Sequence, residues 1–192
     1  DAFDEFLAGE RSMDAHFASA PFATNLPVLA ALLGIWNATF LGIDSHAMLP
    51  YSHRLRSLPS YLQQLEMESN GKSVDRSGKQ VRWQTAPIIF GGPGTAGQHA
   101  YHQLVYQGTR KVAFDFVVPV CAAITRFSVG QLLALYEHKV FVQGWIWGIN
   151  SFDQYGVELG KNMARSIENG ANAKRDGSTL GLLAAIKGMS GA

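Results

Sequence analysis

The stretch PIIFGGPGTAGQHAYHQLVYQGTRKVAFDFVV, residues 87–118, decides the fold class. It begins with PIIF (87–90) and ends with VAFDFVV (112–118), two apolar runs rich in β-branched or aromatic residues that predict buried strands. Between them a glycine-rich loop, GGPGTAG (91–97), leads into a helical pattern, QHAYHQLVYQ (98–107). A strand, a helix and a second strand in this order are typical of a parallel sheet with helices on its faces.

The neighbouring segments continue this alternation. HAMLP (46–50) predicts another buried strand, and HRLRSLPSYLQQLEMES (53–69) has leucines at helical spacing. Further helices are predicted near residues 2–17 and 26–41, from Ser128 through Val140, over 153–168 and over 178–187. The expected architecture is therefore an α/β fold, a parallel sheet flanked by helices, with long C-terminal helices.

Composition excludes several classes of protein. The chain has 192 residues with 47% hydrophobic residues, enough for one domain with a real core. A formal net charge of +1 gives no field that would attract nucleic acid or an anionic membrane. Charged residues are only 16%, which suggests that part of the surface is covered by a partner chain. The single cysteine, Cys121, favours a reducing, cytoplasmic location.

Residues 17–43 carry no Asp, Glu, Lys or Arg and resemble a membrane span at first sight. Asn25 and Pro27, however, fit a helix N-cap and a first-turn proline. Asn37 and Thr39 interrupt the apolar run, so a buried helix of a globular protein is the better interpretation.

The glycine loop allows two interpretations. Amide groups at a helix N-terminus suit an anion such as phosphate, but the spacing matches neither common phosphate-binding motif, and a tight strand-to-helix turn is the alternative. Gln98 and His99 are expected in the first helical turn, at the mouth of the sheet, where the helix dipole favours a neutral imidazole.

Two polar neighbourhoods are candidates for chemistry. Glu68 is predicted at a helix C-terminus, where the dipole disfavours a carboxylate and makes it a better base; the alternative is a solvated surface acid. Glu66 is expected on another face as a surface acid. Gln154, Glu158 and Lys161 form one polar stripe, which by itself is better explained by an ion pair between Glu158 and Lys161 on a solvated face than by catalysis.

Four segments together resemble the phosphoglucose isomerase family in its C-terminal half: MESNGK (67–72), GGPGTAGQHAYHQLVYQGT (91–109), YEHKVFVQG (136–144) and INSFDQYGVELGK (149–161). The resemblance implies that residues 1–192 form one C-terminal sugar-isomerase (SIS) domain with three layers. It also implies an isomerase, an intramolecular oxidoreductase of glycolysis and gluconeogenesis, which interconverts glucose 6-phosphate and fructose 6-phosphate without a metal or organic cofactor.

The resemblance also implies site residues and partners. Glu68 matches the base that moves a proton between the first two sugar carbons through a cis-enediol. His99 matches the histidine that helps to open the sugar ring, and it would reach the site from the other subunit of a homodimer. Lys161 matches the lysine that assists at the ring oxygen, and Gln154 matches a glutamine of the substrate site. The implied partner is a phosphorylated hexose, with no nucleic acid and no membrane.

Three departures from the family stand beside the resemblance. The N-terminal SIS half, which supplies most of the phosphate site, has no counterpart, and neither has the arginine of a GGR motif. The chain also looks shortened internally near residues 119–127. It begins inside a predicted helix without an initiator Met, so we expect a fragment. The alternative to an enzyme is a non-catalytic SIS module that binds phosphosugars or a partner protein.

Overall fold

Strand β1 (Ser45–Pro50) is the centre of the sheet in a computed structural model that describes residues 1–119, 124–168 and 177–190. Strands β2 (Ile88–Gly91) and β3 (Ala113–Val117) both pair with it in parallel, which gives the order β2-β1-β3. His46 lies opposite Ile89 on one side and Ala113 on the other. The predicted α/β fold with a parallel sheet is confirmed.

Eight α-helices of the described residues surround or follow the sheet. In chain order they are α1 (Ala2–Ser19), α2 (Leu26–Ile35), α3 (Leu58–Leu62), α4 (Gly94–Ala100), α5 (His102–Gln107), α6 (Arg126–Trp147), α7 (Tyr155–Glu168) and α8 (Gly177–Ser190). Short 3₁₀ turns cover Phe22–Thr24 and His53–Leu55. Two helices continue in π-helical geometry: α2 through Trp36–Phe40 and α3 through Gln63–Glu68, the latter called the π segment below.

The main core lies between the sheet, α3 and α6. It contains Met48 and Ile89 from the strands, Leu58 and Leu62 from α3, and Tyr136 from α6. Pro59 stands in the first turn of α3, where its missing N–H costs nothing because that group has no partner within the helix. This packing places the π segment directly after a buried helix and beside edge strand β2.

Helices α1 and α6 approach closely through a pair of glycines. A methyl group on Gly9 would overlap the carbonyl oxygen of Phe127, and one on Gly130 would overlap the carbonyl oxygen of Phe6. Both glycines are buried, and because they lack a side chain, the backbone of the other helix can approach closely at each of them. The crossing is further joined by His138 Nε2 and Asp14 Oδ1 at 2.7 Å.

Gly130→Ala is expected to lower the free energy of unfolding by about 2 kcal/mol, because the added methyl forces two packed backbones apart. Urea unfolding followed by circular dichroism measures the change. Gly92→Ala is the matched control, since a Cβ there meets nothing within 4 Å, and it should stay within about 0.5 kcal/mol of the parent. Equal stability of the Gly130 variant and the parent would show that the two helices do not depend on this contact.

The helix starts agree with the sequence in one case and differ in another. The Asn25 side chain accepts from the N–H of Val28, so its predicted role as N-cap of α2 is confirmed. The helix predicted to start at Ser128 begins two residues earlier, at Arg126: Thr125 is the N-cap, and Ser128 completes a reciprocal capping box three residues after it. Among the helices of the described ranges, none combines the length and hydropathy needed to cross a membrane.

The chain divides into two units, residues 1–153 and 154–192. The first holds the sheet and helices α1 to α6, and the second holds α7 and α8. The predicted C-terminal helices are confirmed. The predicted shortening near residues 119–127 lies partly outside the described residues, as does Cys121.

Candidate active site

Glu68 ends the π segment and is half-buried. The segment runs beside edge strand β2, where Gln63 Nε2 donates to the carbonyl of Ile89 at 3.1 Å and the Ile89 N–H donates to Met67 Sδ at 3.4 Å. Within the described part of the chain, no hydrogen-bond donor or cation contacts the Glu68 carboxylate. A carboxylate that is held on a fixed backbone and still free to take a proton has what a general base requires.

Glu66 is not the surface acid that was expected. Its side chain is only 1% exposed, and its Oε2 lies 2.7 Å from Nζ of Lys139, which is 2% exposed. The expectation failed because Glu66 lies on the face of the helix that packs against α6, and there a cation replaces the lost water. The acid of this neighbourhood that reaches solvent is Glu68.

Polar contacts also hold the chain just after Glu68. Asn70 is fully buried; its Nδ2 donates to the carbonyl of Val140 at 2.9 Å, and its Oδ1 accepts from the hydroxyl of Ser151. Lys72 Nζ donates to the carbonyl of Glu68 at 2.7 Å and lies 3.1 Å from Asp153 Oδ1. The helix ends at Asn70, two residues after Glu68, so the predicted position of Glu68 near a helix C-terminus is confirmed.

His99 lies in the last turn of α4, and its predicted place in the first turn is wrong. The helix begins at Gly94, within the predicted loop. Tyr101, with φ −143°, interrupts the helical backbone between α4 and α5. Gly94 packs under the Tyr51 ring and Gly97 against the Tyr101 ring, so packing holds these glycines helical despite their low propensity. The argument from the helix N-terminus therefore does not apply to His99.

A cleft of about 540 Å³ opens beside His99. It is lined by the residues that follow the carboxyl ends of β1 and β2, namely Pro50, Tyr51, Ser52, His53, Pro93, Gly94, Thr95, Ala96 and His99. Open parallel sheets bind ligands at this edge. Glu68 is not among the residues found to line this cleft, so within one described chain the predicted base and the predicted ring-opening histidine do not share it.

A second polar cluster joins strands β1 and β3 to helix α6. Asp115 on β3 lies 3.2 Å from His46 Nε2 and accepts a 2.9 Å hydrogen bond from the hydroxyl of Tyr136. Burial raises the pKa of Asp115, but the stronger combined effect of His46, Lys139 and Tyr136 lowers it to about 2. Burial and the neighbouring Asp115 raise the pKa of Tyr136, which therefore stays a donor.

Asp115 is expected to make folding stability depend on acid pH. Its pKa is lowered from 3.8 to about 2, so its stabilising effect is complete above about pH 4 and is lost as the pH falls towards 2. Asp115→Asn should lower the free energy of unfolding at pH 7 by about 1 kcal/mol, a figure reduced for solvent screening because the carboxylate is 36% exposed.

Urea unfolding of the parent and of Asp115→Asn at pH 7 and near pH 2.5 checks this expectation, with Asp44→Asn as the exposed control. The difference between the parent and the Asp115 variant should shrink as the pH falls. A difference that is constant across this range would contradict the role of the carboxylate.

The second unit carries the other two predicted site residues. Gln154 directly precedes α7, and its carbonyl accepts from the N–H of Glu158 at 2.9 Å. Lys161 Nζ lies 3.0 Å from Glu158 Oε1, and the two side chains are 51% and 55% exposed. The ion pair that was kept as an alternative therefore forms, and Gln154 precedes the helix that carries it.

Sequence reasoning missed the buried partners Lys139, His46 and Asp115. Lys139 did leave a signal: it falls on the apolar stripe of α6 with Leu132 and Tyr136, and a lysine on such a stripe needs a buried acid. Across residues 1–119, 124–168 and 177–190, no group of three His, Cys, Asp or Glu side chains could hold a metal ion.

A parallel sheet between helices, with a cleft beyond its strand ends, defines a domain of the open α/β class. The particular family follows from comparison with known proteins. The chain belongs to the phosphoglucose isomerase family, whose model matches residues 1–126 and 120–183.

Individual relatives agree with this assignment. The chain is 49% identical to glucose-6-phosphate isomerase of Aromatoleum aromaticum over 251 residues, covering 97% of this chain and 46% of the relative. It is 45% identical to that of Frankia casuarinae, over 86% of the chain and 42% of the relative. The crystal structure of a glucose-6-phosphate isomerase from Chlamydia trachomatis matches with TM-score 0.86 and 34% identity, over 96% of this chain and 46% of that one.

The chain thus spans about half the length of the curated relatives it matches. The alignment to the Aromatoleum relative covers 251 residues, more than the 192 of this chain, so that relative carries additional residues inside the aligned stretch. The free carboxylate, the cleft and the family are the basis for the function proposed next.

Proposed function

We propose that this chain is the base-bearing half of a cytoplasmic aldose–ketose isomerase that interconverts glucose 6-phosphate and fructose 6-phosphate. The observation that carries the proposal is Glu68: a half-buried carboxylate with no partner of its own among the described residues, on a backbone anchored on both sides. Membership of the phosphoglucose isomerase family supports the choice of substrate.

In the proposed reaction Glu68 moves one proton. Its carboxylate takes the proton from C2 of the open-chain aldose, and the electron pair of that C–H bond forms the C1–C2 double bond of a cis-enediolate, whose O1 takes up a proton. The carboxylic acid then returns a proton to C1 while O2 loses its own, which gives the ketose. No atom is gained or lost, and the base ends as it began.

His99 is proposed to open the sugar ring, which requires a group that both donates and accepts a proton near neutral pH. His99 is exposed at the rim of its cleft, and Glu68 is not found in that lining. This separation supports a site completed across a homodimer, with His99 of one protomer serving Glu68 of its partner.

Lys161 and Gln154 are proposed to act on the sugar oxygens. An ammonium group offers positive charge to the ring oxygen or to the developing enediolate, and an amide offers a donor and an acceptor to the substrate hydroxyls. The exposure of Lys161, at 51%, leaves it accessible to a ligand.

We further propose that residues 1–192 correspond to one C-terminal SIS domain, shortened near residues 119–127. The longer alignment to the Aromatoleum relative supports the shortening. The phosphate of the substrate would then be held mainly by residues that the relatives carry outside the matched half.

The isolated chain is expected to show little or no isomerisation. Without the phosphate anchor, the binding energy that positions the sugar at Glu68 is lost. A coupled assay that converts fructose 6-phosphate, run beside a full-length relative as the positive control, measures this. Turnover close to that of the full-length enzyme would contradict the expectation and show that this half is sufficient.

A further inference from the structure

The π segment rests on a buried ion pair that the proposed reaction does not use. Glu66 Oε2 and Lys139 Nζ are 2.7 Å apart, and neither side chain is more than 2% exposed. Replacing such a pair by apolar residues is often neutral or stabilising, because the two ions lose their hydration on burial. A gain in folding stability therefore does not explain why this pair is present. A charge-assisted hydrogen bond is directional, whereas an apolar contact is not, so the pair can fix the orientation of the two side chains.

The inward orientation of Glu66 also determines the orientation of Glu68. Glu66 in the segment, and Ser69 and Asn70 in the helical turn that follows it, are all buried on the inner face of this helix. Residues two apart on a helical backbone lie on nearly opposite sides, so holding Glu66 inward turns Glu68 outward. The contact that fixes Glu66 thus also sets the direction of the proposed base.

A second anchor lies just beyond Glu68. Asn70 donates to the carbonyl of Val140, the residue next to Lys139 on α6, and accepts from Ser151. Both anchors therefore converge on one turn of α6 and the loop that follows it. A slip from π- to α-helical hydrogen bonding would rotate the following side chains by one residue, roughly 100°, and would break these contacts.

We propose that Glu66, Lys139 and Asn70 are positioning residues, which hold the π segment in a single register against α6 and so aim the Glu68 carboxylate at the substrate. The proposal rests on the proposed function, in which Glu68 is the base. None of the three touches the reacting atoms; they act through the backbone that carries Glu68.

The test is the double variant Glu66→Leu with Lys139→Met, made in the full-length protein that carries these residues. Its apolar pair has similar volume, so the urea midpoint should equal or exceed that of the parent. The kcat for fructose 6-phosphate should fall by about tenfold or more, while KM changes by less than about threefold. Amide hydrogen exchange at residues 66–70 should accelerate by about tenfold or more as the register loosens.

The control removes a different pair of α6, His138 with Asp14, in the double variant Asp14→Asn with His138→Gln, and should leave kcat and the exchange of residues 66–70 unchanged. Parent-like kcat and exchange in the Glu66/Lys139 variant would overturn the proposal. If the parent itself does not isomerise the sugar, the proposed function fails, and amide exchange alone tests the positioning role. Faster exchange of residues 66–70 in the variant supports that role, and exchange equal to the parent's overturns it.

Should the double variant not fold, Ser151→Ala takes its place. It keeps the ion pair and removes only the donor to Asn70. The same changes in kcat and exchange, at about threefold, are expected from the loss of one hydrogen bond. Parent values for both would overturn the proposal.

Discussion

Glu68→Gln in the full-length protein is expected to lower kcat for the isomerisation of fructose 6-phosphate by about a thousandfold, within the range that general bases contribute. The amide keeps the shape of the side chain but cannot accept the proton from carbon. Because the described structure shows no ion pair or hydrogen bond to this carboxylate, the substitution should not disturb folding. Binding of fructose 6-phosphate, measured by calorimetry, should change by less than about threefold.

Glu5→Gln is the matched control, because Glu5 forms a surface pair with Arg126 at 3.6 Å and lies outside the proposed site. It should leave both activity and binding unchanged. A Glu68→Gln variant with parental activity would remove Glu68 from the mechanism. A parent that binds the phosphosugar without converting it, and a variant that binds equally well, would instead favour a non-catalytic binding module.

Lys139→Met alone is expected to lower the free energy of unfolding by about 3–5 kcal/mol, because it leaves the Glu66 carboxylate buried without its counter-charge. Adding Glu66→Leu should recover the whole of this loss, since the cost lies in the unpaired charge and not in the missing pair. Urea unfolding at pH 7 measures both variants.

Lys111→Met serves as the control, since Lys111 is exposed at the start of β3, and it should change stability by less than about 0.5 kcal/mol. A loss below about 1 kcal/mol for Lys139→Met would mean that water or another group already compensates Glu66. Equal losses in the single and the double variant would show that the unpaired charge of Glu66 is not their cause.

The fold could be read from local pattern because each element has a strong signal. The strands at 46–50, 87–90 and 112–118 are short apolar runs, and the leucines at 55–65 repeat at helical spacing. All three strands occur within a residue or two of the predicted places. The helices between them indicated parallel pairing, since parallel strands need a long crossover connection, which is usually a helix.

The site was less predictable because it depends on tertiary contacts. Glu66 and Glu68 look alike in sequence, and only packing against α6 buries the first while it leaves the second half-buried. His99 lies in the last turn of its helix instead of the first, because the helix already begins at Gly94. Packing of Gly94 and Gly97 against tyrosine rings stabilises that helix despite the low helix propensity of glycine. Family resemblance supplied the proposed roles of Glu68, His99, Gln154 and Lys161, which no spacing rule would have assigned.

The crossing of α1 and α6 has a consequence for biosynthesis. Ser12 and Gln131, which touch across it, are separated by 119 residues. At translation rates of about 5–20 residues per second, α1 leaves the ribosome roughly 6 to 24 seconds before its partner helix is complete. During that interval α6, which packs against the face of α1 that carries Gly9, has not yet been synthesised. An isolated helix of this length is only marginally stable in water. Docking of α1 therefore has to wait until α6, more than a hundred residues later in the chain, has been synthesised.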